Sequence, residues 1–126
     1  KGVIGLAGPY DFYPFTTVSA RKAFARIDPP AQTQPISFAR GDAPPMLLIT
    51  GLADTTVKPR NSDALAAALR AAGGRVELVR LDDVGHEQVL MKLAAPFSRD
   101  RSVLDPMLAF LARTSAASAP VQARGR

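Results

Sequence analysis

His86 is the single histidine of the chain. It closes the segment Asp82-Asp83-Val84-Gly85-His86, directly after the apolar run that ends at Leu81. Asp54 occupies the matching place one strand and one helix earlier, four residues past Thr50. An imidazole takes up and returns a proton near neutral pH, and a carboxylate at one ring nitrogen fixes its tautomer and stabilises the imidazolium. Together they are the acid and base of a nucleophilic triad. The third member is not found in the expected setting. No Gly-x-Ser-x-Gly elbow and no His-Gly-Gly segment occurs, and Ser19, Ser37, Ser62, Ser98, Ser102, Ser115 and Ser118 all lack the strand, sharp turn and helix that expose a nucleophile.

Each residue has a plainer reading. Asp54 followed by Thr55-Thr56 suits an Asx-turn, and a lone histidine is often a surface or core group with no chemistry. Asp82 and Asp83 compete with Asp54 as the acid because they are close to His86 in sequence. A residue in the same turn rarely points back at the ring, whereas a neighbouring strand tip can, so Asp54 is preferred. Glu87 reads as a first-turn helix acid favoured by the dipole.

The elements that must position the pair are short. Val3-Ile4-Gly5-Leu6-Ala7 is an apolar run stopped by Gly8-Pro9, as in a buried parallel strand. Pro44-Pro45 opens a second such strand, Met46 to Thr50, ended by Gly51. Asn61 or Ser62 is a candidate cap for a helix that keeps Leu65, Ala66, Leu69 and Ala72 on one face and stops at Gly73-Gly74. Val76 to Leu81 alternates apolar and polar residues, as a strand nearer a sheet edge does. A helix between His86 and Pro96 is less marked in the sequence. A final helix from about Ser102 places Val103, Leu104, Met107, Leu108, Phe110 and Leu111 against the sheet, with Pro106 in its first turn.

Between the first two strands, residues 11–40 are proline-rich, with a short helix around Val18 to Ala25, and read as a cap or lid-like segment. Residues 114–126 have no apolar period and read as a disordered tail, leaving 1–113 as the folded part. This order of elements predicts an α/β fold in which crossover helices join parallel strands. The loops carrying Asp54 and His86 then leave the same edge of the sheet, from strands about 4.8 Å apart, within reach of a hydrogen bond. Gly51 and Gly85 are expected to permit the turns that bring both side chains back over the strand tips.

Composition narrows the class without deciding function. With 126 residues, 47% of them apolar and 21% charged, the chain reads as one ordinary globular unit. It contains no cysteine, which rules out disulfides, thiolate metal sites and a cysteine nucleophile within these residues. The net charge of +5 comes from basic residues scattered along the chain, without the interleaved aromatics of a nucleic-acid surface. No apolar run approaches the roughly 18 to 20 residues of a membrane span, and no signal-peptide layout opens the chain; the compartment stays open, with cytoplasmic the expectation and periplasmic or secreted as alternatives. No cofactor or metal is implied.

Three segments carry a family resemblance. Gly5-Leu6-Ala7-Gly8-Pro9-Tyr10-Asp11-Phe12, the run from Pro44 to Val57 with its Gly-x-x-Asp-x-x-Val core, and Gly85-His86 followed by a terminal helix are similar to the C-terminal half of α/β-hydrolase esterases. The resemblance is to the carboxylesterase-like and hormone-sensitive-lipase-like branch and covers about residues 2 to 112. It implies a partial α/β-hydrolase fold with the nucleophile half missing, Asp54 as triad acid, His86 as general base, Val57 packed beneath the acid loop, and residues 11 to 40 shaping the substrate pocket. The implied reaction is hydrolysis of a small-molecule ester through an acyl-serine, with the serine upstream of residue 1 and this portion inactive alone. A serine peptidase of the prolyl-oligopeptidase type and a dienelactone-hydrolase-like enzyme use the same acid and base loops. A non-catalytic interaction domain is the alternative from another class.

Overall fold

The computed structural model describes residues 1–94, 96 and 99–116. Three strands, β1 (Val3–Leu6), β2 (Met46–Gly51) and β3 (Val76–Leu81), form a parallel sheet in the order β1-β2-β3. Ile4 pairs with Leu47, and Ile49 with Val79. Helix α1 (Val18–Phe24) and two single 3-10 turns lie between β1 and β2, α2 (Arg60–Ala71) joins β2 to β3, and α3 (His86–Met91) and α4 (Leu104–Ala116) follow β3. The parallel α/β architecture expected from the sequence is the one observed.

The apolar run of β2 is continuous because the strand is central and covered on both faces. Leu47 and Ile49 face a core with Val84, Val89, Val103 and Phe110, while Leu48 faces Leu65, Ala66 and Leu69 of α2. The two-residue period of β3 sorts its side chains the same way. Val76 and Leu78 join the α2 layer, and Val79 and Leu81 join the other. Helix α2 ends as its glycines direct. Gly73 takes φ +84° and donates to Arg70 O, while Gly74 N donates to Leu69 O at 2.8 Å.

Three helix details depart from expectation. Helix α2 begins at Arg60 without a side-chain cap, and Asn61 and Ser62 are buried inside it. Asn61 Oδ1 accepts from Tyr10 N and Asp11 N of another loop, so it caps no N–H group of its own helix. In α4 the buried residue is Phe110, with Met107 partly buried beside it and Val103 buried just before the helix, whereas Leu108 and Leu111 are 48% and 47% exposed. An apolar stripe six residues wide is broader than one sheet surface covers, and the face nearest Phe110 wins. The helix also runs to Ala116, past the expected tail boundary at 114, with Thr114 Oγ1 donating to Phe110 O at 2.9 Å. The rest of that tail, residues 117–126, lies outside the described residues.

The segment between β1 and β2 is ordered by aromatic packing and by hydrogen bonds. Phe15 stacks on Phe24 at 5.2 Å between ring centroids, and Phe12 lies against both rings. The expected short helix forms as α1, capped by Thr17 Oγ1, which accepts from Ala20 N.

Candidate active site

Asp54 and His86 meet at the carboxyl rim of the sheet. Backbone bonds first join their two loops: Leu52 N donates to Leu81 O at 2.9 Å and Ala53 N to Val84 O at 3.1 Å. This close approach requires glycine at position 51, where a Cβ would stand 2.0 Å from Val84 O. Gly51 is therefore needed for space and not for a left-handed turn, since its φ is not positive. At Gly85 neither need applies, because its φ is −87° and a Cβ there would meet nothing nearer than Gln88 Oε1 at 3.5 Å. The left-handed turn in that loop falls on Asp83 instead, with φ 54°.

His86 Nδ1 lies 2.8 Å from Asp54 Oδ2. A carboxylate only accepts, so Nδ1 carries the proton and the lone pair is left on Nε2. The other oxygen, Asp54 Oδ1, accepts from Thr56 N at 2.9 Å and Val57 N at 2.8 Å. The Asx-turn and the imidazole contact, which compete as readings of the sequence, thus coexist on one carboxylate. Val57 contributes its backbone N–H to the acid, beyond any packing role. The Asp54 side chain is fully buried at 0% exposure and the His86 ring is 35% exposed, so the carboxylate is screened from solvent while the imidazole is reachable. Asp82 and Asp83 are both exposed, and neither bonds the ring.

His86 is the first residue of α3, whose start is held by Gln88 Oε1 accepting from Gly85 N at 2.7 Å. Glu87 stands in the same first turn, as expected. Val89 from that helix is fully buried and anchors the base loop to the core. Among the described residues no hydrogen-bond partner reaches His86 Nε2, and no group of three or more His, Cys, Asp or Glu side chains is placed to hold a metal. No helix among them is long and apolar enough to cross a membrane.

Two residues important to this rim escape a sequence reading. Gln34 and Asn61, 3% and 6% exposed, bind the loop that leaves β1. Nothing in the sequence singles out Gln34, and Asn61 resembles an ordinary helix cap.

Parallel strands with crossover helices, and a buried acid against an imidazole on their carboxyl rim, define part of an α/β-hydrolase. The chain belongs to the prolyl oligopeptidase family, whose profile matches residues 10–118. Solved structures agree on the fold. Native esterase 2 from the Planctomycetes species Thermogutta terrifontis is 21% identical, with a TM-score of 0.68 over 96% of this chain and 44% of its own. The same esterase phosphoramylated by tabun is 22% identical, with a TM-score of 0.68 over 89% of this chain and 40% of its own. A truncated carbohydrate esterase from gut microbiota is 26% identical, with a TM-score of 0.57 over 68% of this chain and 27% of its own. The chain therefore spans between about a quarter and under half of these structures. A search of curated proteins found no match. The superfamily expected from the sequence is the one found.

Proposed function

We propose that this chain supplies the acid and base of a serine hydrolase that cleaves carboxylic esters of small molecules, with the nucleophilic serine on polypeptide preceding Lys1. The 2.8 Å contact between His86 Nδ1 and buried Asp54 carries the proposal. In the reaction, Nε2 of His86 removes the proton from the serine hydroxyl as its oxygen attacks the ester carbonyl. Asp54 stabilises the imidazolium so formed. Backbone N–H groups hold the tetrahedral oxyanion, and collapse expels the alcohol, which takes its proton from His86. Water, activated by the same ring, then releases the acid and restores the serine.

The complete enzyme with His86→Ala is expected to lose turnover of p-nitrophenyl esters while still folding, as read by circular dichroism. Near-wild-type turnover would refute the role of the base and leave the interaction-domain alternative standing. A second reading, a serine peptidase, is favoured by the family match. Parallel assays with p-nitrophenyl esters and prolyl p-nitroanilides separate the two. An ester preference supports the first reading and an anilide preference the second.

A further inference from the structure

The loop leaving β1 is held in an unusual way. Four consecutive backbone N–H groups, those of Tyr10, Asp11, Phe12 and Tyr13, end on two buried side-chain amides. Asn61 Oδ1 accepts from Tyr10 N at 3.1 Å and from Asp11 N at 2.8 Å. Gln34 Oε1 accepts from Phe12 N at 2.6 Å and from Tyr13 N at 3.0 Å. Both amides are also fixed at their nitrogens, Asn61 Nδ2 donating to Lys58 O at 3.1 Å and Gln34 Nε2 to Thr33 Oγ1 at 2.6 Å. Asn61 thereby links the β1 loop to Lys58, at the end of the acid loop. Arg60 adds an outer tether, donating to Asp11 Oδ2 and Asp11 O at 2.9 Å each.

The place of this loop gives the clamp its meaning. It leaves the carboxyl end of β1, the same rim from which the Asp54 and His86 loops rise. Phe12, Tyr13 and Thr16 face Thr56 and Lys58 of the acid loop across a cavity of about 260 Å³. That volume is below the range of a whole drug-sized ligand site, roughly 300–1,000 Å³, and fits one ring-sized part of a substrate. Its walls combine the rings of Phe12 and Tyr13, the hydroxyls of Thr16 and Thr56, and the charged groups of Asp11, Lys58 and Arg60. Each buried amide oxygen satisfies two N–H groups of the loop, so the backbone on this side of the cavity is tied at four consecutive positions.

We propose that Gln34 and Asn61 are positioning residues that hold loop 10–13 against the acid loop, making the cavity between them a subsite for a substrate group remote from the scissile bond. The proposal rests on the reading of Asp54 and His86 as the acid and base. It assigns the pair to substrate binding and gives it no part in proton transfer.

The test uses the complete enzyme and three esters followed by pH-stat: ethyl acetate, p-nitrophenyl acetate extended on the alcohol side, and ethyl benzoate extended on the acyl side. Gln34→Ala and Asn61→Ala are expected to raise KM for one extended ester about tenfold more than for ethyl acetate, since small misplacements of a positioning group cost that much or more. The pH profile of kcat should not move. Gln34→Glu, which keeps an acceptor for Phe12 N and Tyr13 N but loses the donation to Thr33 Oγ1, should restore part of the lost affinity. Equal losses on all three esters, a shifted pH profile, or unchanged kinetics would each overturn the proposal. Should an alanine variant fail to fold, Arg60→Met removes the outer tether at an exposed position. It must then raise the same KM, and an unchanged KM overturns the proposal as well. Full activity in His86→Ala would instead sink the acid and base assignment, a separate outcome.

Discussion

One oxygen of Asp54 lies 2.8 Å from His86 Nδ1 while the other accepts two backbone N–H groups from Thr56 and Val57. The carboxylate is therefore held from its own loop before it meets the ring, and the ring is oriented by a group that cannot swing away. Such fixed orientation is what a proton-transferring imidazole needs, because a wrong tautomer presents N–H where a lone pair is required.

Asp54→Asn in the complete enzyme tests this directly. The amide oxygen can still accept from Thr56 N and Val57 N, so the loop should persist. Its NH2 cannot accept from Nδ1–H, and the ring must change tautomer. We expect kcat to fall by about 10³ to 10⁴ with the thermal midpoint little changed. A loss of less than tenfold would show that the contact has no catalytic weight.

Gly51→Ala is expected to damage both fold and activity. The added methyl would stand 2.0 Å from Val84 O, so the acid and base loops must part. Overpacking of this kind costs about 1–3 kcal/mol, and parting the loops stretches the contact between Asp54 and His86. Gly85→Ala meets nothing closer than 3.5 Å and should cost under about 1 kcal/mol. Urea midpoints and kcat of the two variants, measured side by side, distinguish a requirement for space from one for backbone freedom.

The sequence makes the sheet and the pair legible for the same reason. Strands Val3–Leu6 and Met46–Gly51 are built on the apolar runs Val3–Leu6 and Met46–Ile49, Val76–Leu81 alternates, and helix α2 ends on Gly73-Gly74, all of them local signals that tertiary contacts do not override. Parallel pairing then forces Asp54 and His86 to one rim. What the sequence hides depends on contacts between distant residues. Leu108 and Leu111 match the apolar period of α4 as well as Phe110 does, and only the position of the sheet decides which face is covered. Asn61 and Gln34 each bind backbone more than twenty residues away in the chain, and no local pattern announces such a partner.

The packing of α4 gives a stability contrast. Phe110 is 1% exposed at the centre of the core shared with Leu47, Ile49 and Val103, so Phe110→Ala should cost about 3–5 kcal/mol. The nearby pair of Arg113 and Glu77 sits at 2.6 Å, but both side chains are about half exposed, at 55% and 49%. Water screens such pairs, and a double-mutant cycle on Arg113→Ala and Glu77→Ala should give a coupling below about 1 kcal/mol. A coupling several times larger would mean the pair is shielded in the complete enzyme.

Alkaline pH should weaken the fold through Tyr10. Its hydroxyl lies over Gly5 and Gly8, where a Cβ would come within 2.0 Å and 2.5 Å of it. Burial raises its pKa above the usual tyrosine value of 10.0, with a hydrogen bond to the Gly8 backbone working in the opposite direction. The folded state therefore holds the phenol proton more tightly than the unfolded chain does. The resulting stabilisation is complete below the unfolded pKa near 10 and is lost as pH climbs through the higher folded value. Urea midpoints of the complete enzyme between about pH 9 and 12 should fall more steeply for wild type than for Tyr10→Phe, which has no proton to release. Parallel curves for the two proteins would show that the Tyr10 hydroxyl is not buried against Gly5 and Gly8 in solution.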